Sequence, residues 1–141
     1  MEERHSHSAE ESFAFGKELG NAAKAGAVYC LRGELGAGKT VLAQGFAAGL
    51  GITEAVNSPT FTILQVYEGG RLPLYHFDLY RIEDAEELYE VGLDDYLFGG
   101  GVCLIEWPEC IEEELPSGCI YINIEKDAAD PEYRRIRMEE R

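Results

Sequence analysis

The polar and apolar positions of this chain change period several times, and each change predicts an element. From Ser8 to Ala25, Phe15, Leu19, Ala22 and Ala23 recur at helical spacing, which predicts a first helix. Ser8 followed three residues later by Glu11 has the form of a capping box, and Gly26 is placed to end the helix. Ala27 to Leu31 (AVYCL) has no polar interruption, as expected of a strand covered on both faces. After a glycine-rich stretch, Lys39 to Leu50 returns to helical spacing, with Gly45 and Gly49 available for close packing. Phe61 to Tyr67 and Leu72 to Tyr80 read as two strands. Glu68-Gly69-Gly70-Arg71 joins them as a hairpin turn, and Pro73 sets the start of the second at an edge or end.

Ile82 to Glu90 and Gly92 to Phe98 are short helical pieces, and Gly99 to Gly101 break the chain. Val102 to Ile105 is a second buried strand running into Glu106-Trp107-Pro108. Glu109 to Leu115 reads as a short helix, and Cys119 to Ile124 and Tyr133 to Met138 as closing strands. Strands alternating with helices predict an α/β fold, and the hairpin makes its sheet mixed. The 141 residues suit one domain, 1–141, with residues 1–7 (MEERHSH) expected as an unstructured end.

Charge narrows the possible partners. With 27 acidic and 12 basic residues the net charge is −15. Free binding to a phosphate backbone needs clustered Lys and Arg, so DNA is excluded as a direct ligand and any RNA role runs through a partner. The first residues lack an apolar signal core, and no run reaches the length of a membrane span, so a cytoplasmic protein is expected. Cys30, Cys103, Cys110 and Cys119 match no zinc spacing, and Cys30 and Cys103 sit in apolar runs as small core residues.

The chemistry begins at GELGAGKT. Gly33, Glu34, Leu35, Gly36, Ala37, Gly38, Lys39 and Thr40 fit G-x-x-x-x-G-K-[ST] at every fixed position, between a buried strand and a helix. Glycines let the backbone curl with its N–H groups inward, and those donors and the helix N-terminus suit phosphate oxygens. In such a loop Lys39 reaches the β- and γ-phosphates of ATP and the Thr40 hydroxyl ligates Mg2+. The fold expected is a P-loop NTPase-like three-layer domain with a mixed, mainly parallel central sheet and a β-hairpin insertion.

A phosphate loop also needs an acid near the metal. Glu106 ends the apolar VCLI strand, where it is either that acid or a solvated strand end. Asp78, in LYHFDLYR, shares a strand face with Leu74, His76 and Tyr80 by alternation. It is either a catalytic acid that holds the metal shell or orients water, or the partner of Arg81 in a structural ion pair. Thr60, in Ser58-Pro59-Thr60, either supplies a hydroxyl to the same shell or starts a strand. Trp107, the one tryptophan, either borders the nucleotide or fills the core beside the strand end.

Taken together and in this order, GELGAGKT, NSPTFTILQVY, YHFDLYRIED, ELYEVGLDDYL and CLIEWPE resemble the TsaE (YjeE) family, over about Ser8 to Pro116. The resemblance implies a P-loop ATPase, slow alone, that works with a TsaB–TsaD heterodimer. In that pairing TsaD transfers a threonylcarbamoyl group to adenosine 37 of ANN-decoding tRNAs, so tRNA is reached only indirectly. It also implies Thr40 and Glu106 as magnesium positions, Gly36 to Thr40 as phosphate positions, Asp78 as the acid needed for hydrolysis, and Thr60 in a switch-like loop. Family members often carry threonine where this chain has Ser12, at a nucleotide-contacting position, and serine keeps the hydroxyl.

Three other functions compete. Small P-loop kinases clamp phosphates with several lid arginines. Here Arg32, Arg71 and Arg81 are scattered, and the cluster Arg134, Arg135 and Arg137 reads as strand-face charge. A GTP switch would carry N-K-x-D, and Asn123 to Asp127 has those residue types in another order. A nucleotide-dependent adaptor that does not hydrolyse ATP is the third.

Overall fold

The two uninterrupted apolar runs become neighbouring strands in the middle of a sheet. The computed structural model describes residues 2–34, 36–56, 63–84, 86–90 and 92–141. In chain order the elements are β1 (Glu2–Ser6), α1 (Ala9–Ala22), β2 (Val28–Gly33), α2 (Lys39–Gly49), β3 (Leu64–Tyr67) and β4 (Leu74–Asp78). Then follow α3 (Glu86–Tyr89), α4 (Leu93–Leu97), β5 (Val102–Glu106), a 3-10 helix (Pro108–Glu114), β6 (Ile120–Lys126) and β7 (Arg134–Glu140). Among the described residues the sheet order is β1-β7-β6-β2-β5-β4-β3. The four central strands β6, β2, β5 and β4 are mutually parallel, and β1, β7 and β3 add antiparallel pairings at the edges.

Alternation along the strands divides the core into two layers. Tyr29 and Leu31 of β2, Leu104 of β5 and Ile122 of β6 meet Leu42 and Phe46 of α2 and Phe15 of α1. Val28, Cys30, Cys103 and Ile105 face the other way, onto Leu88, Leu93, Leu97 and Ile111. Each fully buried Leu, Ile or Phe among these contributes about 1.5–3 kcal/mol. Cys30 and Cys103 are core residues, and burial pushes the Cys103 thiol up to about 12. The expected three-layer α/β architecture, with its β3–β4 hairpin, is the one found. No helix of the described residues is long and apolar enough to cross a membrane.

Two expectations need correction. The N-terminal residues are not an unstructured end: Glu2–Ser6 pair with β7 from Glu2↔Met138 to Ser6↔Arg134. This edge strand exposes every residue but Ser6, so no apolar alternation betrays it. It is held by its ladder, by Arg4 to Glu18 at 2.9 Å, and by the Arg4 guanidinium over the Phe15 ring. The first helix also stops earlier than expected, because Ala23 takes extended backbone as the chain turns toward β2. Gly26, at φ 86°, serves that turn instead. Ser8 does cap the helix, accepting the Glu11 N–H at 3.1 Å, while the Glu11 carboxylate takes the His7 N–H rather than that of Ser8.

The contact between α1 and α2 is made by glycine. A Cβ on Gly45 would stand 2.1 Å from the Phe13 carbonyl oxygen, and one on Gly20 would stand 2.1 Å from that of Phe46. Gly16 and Gly49 are equally closed, against the carbonyls of Leu42 and Lys17. No side chain fits between the two backbones, so the helices can approach this closely only with glycine at these places. Alanine at position 45 gains about 1 kcal/mol in helix propensity but forces the helices apart. The overpacking is expected to win, with Gly45→Ala destabilising the fold by about 1–3 kcal/mol in urea denaturation. Unchanged or increased stability would show that the helices can separate freely.

Candidate functional site

β2 is buried along most of its length and delivers Gly33 to the end of the parallel sheet. The chain then curls. The Ala37 N–H donates to the Glu34 carbonyl at 2.9 Å, and Gly36 and Gly38 take φ of 81° and 98°, where glycine is favoured. Gly38 is the N-cap of α2 and gives it no side-chain cap. The first turn of an 11-residue helix therefore presents backbone N–H groups that no capping side chain takes up. Leu35 and Thr60 lie outside the described residues.

Lys39 folds back over this loop. It is 7% exposed, and its Nζ donates to the Gly33 carbonyl at 2.6 Å and lies 4.0 Å from the centre of the Trp107 ring. Burial lowers its pKa below that of free lysine, against the opposing pull of Glu106, Asp78 and Glu109, in that order. Thr40, the next residue, is exposed.

The carboxylates come from adjoining strands. In register, Glu106 of β5 lies beside Leu31 of β2 on one side and Asp78 of β4 on the other. Both acids thus sit at the C-terminal ends of parallel strands, next to the loop that leaves β2, where open α/β sheets bind ligands. Glu106 is 2% exposed, so it is no solvated strand end. Its Oε2 is 2.7 Å from Nε2 of His76, which is 1% exposed. A carboxylate only accepts, so the imidazole donates through Nε2–H. Nδ1 has no partner among the described residues.

Asp78 is half-buried; its N–H donates to the Ile63 carbonyl at 2.9 Å, and its Oδ1 accepts the Tyr80 N–H at 3.0 Å. Trp107 follows Glu106 in the left-handed region (φ 58°, ψ 61°), a conformation costing a non-glycine residue about 1–2 kcal/mol. That bend sets its ring under Lys39 and 4.9 Å from the ring of Tyr80. Trp107 therefore borders the loop rather than simply filling the core.

Two elements outside the motif also reach the loop. Arg134 of β7 donates from Nε to the Ala37 carbonyl at 2.7 Å and from Nη2 to that of Gly36 at 3.4 Å. The strand-face reading is right for Arg135 and Arg137, which both bond to Glu125, and wrong for Arg134, which points to the opposite face. Alternation alone puts Arg134 on the face opposite Arg135 and Arg137, and the pairing of β7 with β6 shows that this face meets the loop. Ser12 of α1 is buried, its Oγ 2.7 Å from that of Ser6. It lines a cavity of about 180 Å³ with Ser8, Gly38, Val41, Pro131 and Arg134, at the N-terminus of α2. His76 was visible as a face-mate of Asp78, but its bond to Glu106 depends on β4 and β5 being neighbours.

Comparison with known proteins agrees with this fold and gives its family. A family model described as "Threonylcarbamoyl adenosine biosynthesis protein TsaE" matches residues 6–136. The tRNA threonylcarbamoyladenosine biosynthesis protein TsaE of Bacillus subtilis (strain 168) is 53% identical over 121 residues, covering 86% of this chain and 75% of its own. That of Treponema pallidum (strain Nichols) is 44% identical over 119 residues, covering 84% and 87%. The crystal structure of Bacillus subtilis YdiB superposes with a TM-score of 0.82 at 44% identity, over 96% of this chain and 82% of that one. The chain belongs to the TsaE family.

Proposed function

We propose that this protein is a Mg2+-dependent ATPase of tRNA threonylcarbamoyladenosine biosynthesis, acting in the cytoplasm with a TsaB–TsaD heterodimer. The observation that carries the ATPase reading is the meeting of a buried Lys39 ammonium with Glu106 and Asp78 at the head of three parallel strands, against a glycine loop that opens α2. Family membership supports the pathway, and the partner follows from the resemblance of the motifs. With a net charge of −15, the chain is suited to reach tRNA only through that partner.

The residues fit Mg-ATP. The curled loop and the uncapped helix start supply N–H groups for phosphate oxygens, and Lys39 supplies the countercharge for the β- and γ-phosphates. The Thr40 hydroxyl and Glu106 carboxylate would hold Mg2+, which when bound offsets charge on the phosphates. Arg134 holds the loop by its carbonyls, and the cavity beside Ser12 offers the nucleoside a place next to the phosphates. Asp78, at the rim of the same site, orients the attacking water.

Lys39→Ala removes the buried countercharge and should weaken Mg-ATP binding about 10–100-fold, the value of a hydrogen bond to a charged group. Thr40→Ala should weaken binding chiefly when Mg2+ is present. Calorimetry measures both. Since the Lys39 ammonium rests on the single tryptophan, nucleotide that draws it away should also change Trp107 emission. Unaltered affinity in Lys39→Ala would sink the phosphate-loop assignment.

Asp78→Asn separates catalysis from binding. Asparagine keeps the volume and an acceptor for the Tyr80 N–H, so the fold and the phosphate cradle survive. The charge used in the transition state is lost, and turnover should fall about 100-fold or more while affinity stays within about threefold. ATPase in the presence of TsaB–TsaD, affinity and melting temperature are measured on one preparation. Parental turnover refutes the catalytic role, and a parallel loss of binding and melting temperature makes Asp78 structural.

A further inference from the structure

Among the described residues the His76–Glu106 pair is the one acid–imidazole contact at the head of the sheet, and no step of the proposed hydrolysis uses its imidazole. His76 stands on β4 between Tyr75 and Phe77, in register with Leu104 of β5, on the face of the sheet that α2 covers. Its neighbours in this layer include the apolar Leu74 and Leu104, with Gln65 of β3 across from it in register. Packing alone would be better served by an apolar ring, because a buried imidazole whose Nδ1 has no partner among the described residues costs free energy that phenylalanine does not. What the imidazole adds is a single directed bond, 2.7 Å from Nε2 to Glu106 Oε2.

That bond has a geometric consequence. Glu106 has three side-chain torsions, and its backbone is fixed by pairing to β2 and β4. A carboxylate is planar, so fixing Oε2 leaves Oε1 little freedom. Carboxylates that bind metals are commonly held by such a second bond, whose loss costs about 10–100-fold in metal affinity. We infer that His76 is a positioning residue for Glu106: its Nε2–H holds the carboxylate in the orientation in which it serves the magnesium position. This rests on the reading of Glu106 as a metal ligand.

The test is calorimetry of a non-hydrolysable ATP analogue, with and without Mg2+, on the full chain. Parent protein, Glu106→Gln, His76→Phe, His76→Gln and the His76→Phe/Glu106→Gln double variant are compared. The parent should gain affinity with Mg2+, and Glu106→Gln should lose that gain. His76→Phe keeps a ring of similar size without a donor. It should lose about 10–100-fold of the Mg2+-dependent gain while metal-free affinity holds within about twofold. His76→Gln, whose amide N–H can reach the place of Nε2–H, should restore most of it. In the Glu106→Gln background His76→Phe should change nothing further, since it acts only through that carboxylate.

A His76→Phe protein with the parental gain overturns the inference, as does an equal loss of metal-free binding or a His76→Gln no better than His76→Phe. If the parent itself gains nothing from Mg2+, or Glu106→Gln keeps the gain, the metal-ligand reading falls and takes this inference with it. If His76→Phe does not fold, the unaltered protein still decides. Long-range proton–nitrogen spectra should show an Nε2-protonated imidazole whose signals move when Mg2+ joins the nucleotide complex. Nδ1 protonation or unmoved signals would overturn it.

Discussion

One buried cation organises the head of the sheet. The Lys39 ammonium is 7% exposed, and an isolated charge so placed costs several kcal/mol. Its surroundings offset that cost in three ways. The Gly33 carbonyl accepts one of its protons at 2.6 Å, the Trp107 ring offers its negative face at 4.0 Å, and Glu106 and Asp78 supply opposite charge. All four come from strand ends or the turns that follow them, and parallel strands bring such ends to one edge. The fold is thus arranged so that β2 launches the glycine loop while the next two strands, β5 and β4, bring acids toward it.

The outer elements serve the same place. The glycine contact seats α1 against α2 so closely that Ser12 reaches the cavity at the N-terminus of α2. β1 fastens the other side of α1, through Ser6 to Ser12 and Arg4 to Glu18. β7 carries Arg134 to the loop carbonyls, and β4 carries both Asp78 and the imidazole that holds Glu106. A disturbance at the α1–α2 interface would therefore be felt at the loop, since α2 begins there.

What could be read from sequence was local. The phosphate loop needs only eight consecutive residues, and the buried strands declare themselves by lacking polar interruptions. Glu106 stands out as an acid ending an apolar strand, and Asp78 as an acid between Phe77 and Leu79 on a strand. Features set by the neighbour relations of strands were not legible. The His76–Glu106 bond joins residues thirty apart in sequence and exists because β4 lies beside β5. Alternation separates Arg134 from Arg135 and Arg137, but that its face meets the loop depends on β7 lying beside β6. β1 was missed for a different reason: an exposed edge strand held by a ladder and surface charge has no hydrophobic signature to read.

The same carboxylates that offset Lys39 bear on what the site can accept. Arg134 is already engaged with the Ala37 and Gly36 carbonyls, and the Lys126 ammonium lies 3.6 Å from where a Cβ on Gly36 would stand. Under the proposed reading, a polyphosphate arriving at the loop meets the buried Lys39 ammonium and, close behind it, the charges of Glu106 and Asp78. Like charges a few ångströms apart oppose each other strongly where water is excluded. Lys39 and the helix N-terminus attract the ligand, and the acids repel it. Under the proposed reading that conflict is resolved by a divalent cation between acid and phosphate, with the exposed Thr40 hydroxyl on its other side. Under that reading metal dependence follows from the electrostatics of the resting protein: the acids that stabilise Lys39 would be the groups that make nucleotide alone an unfavourable guest.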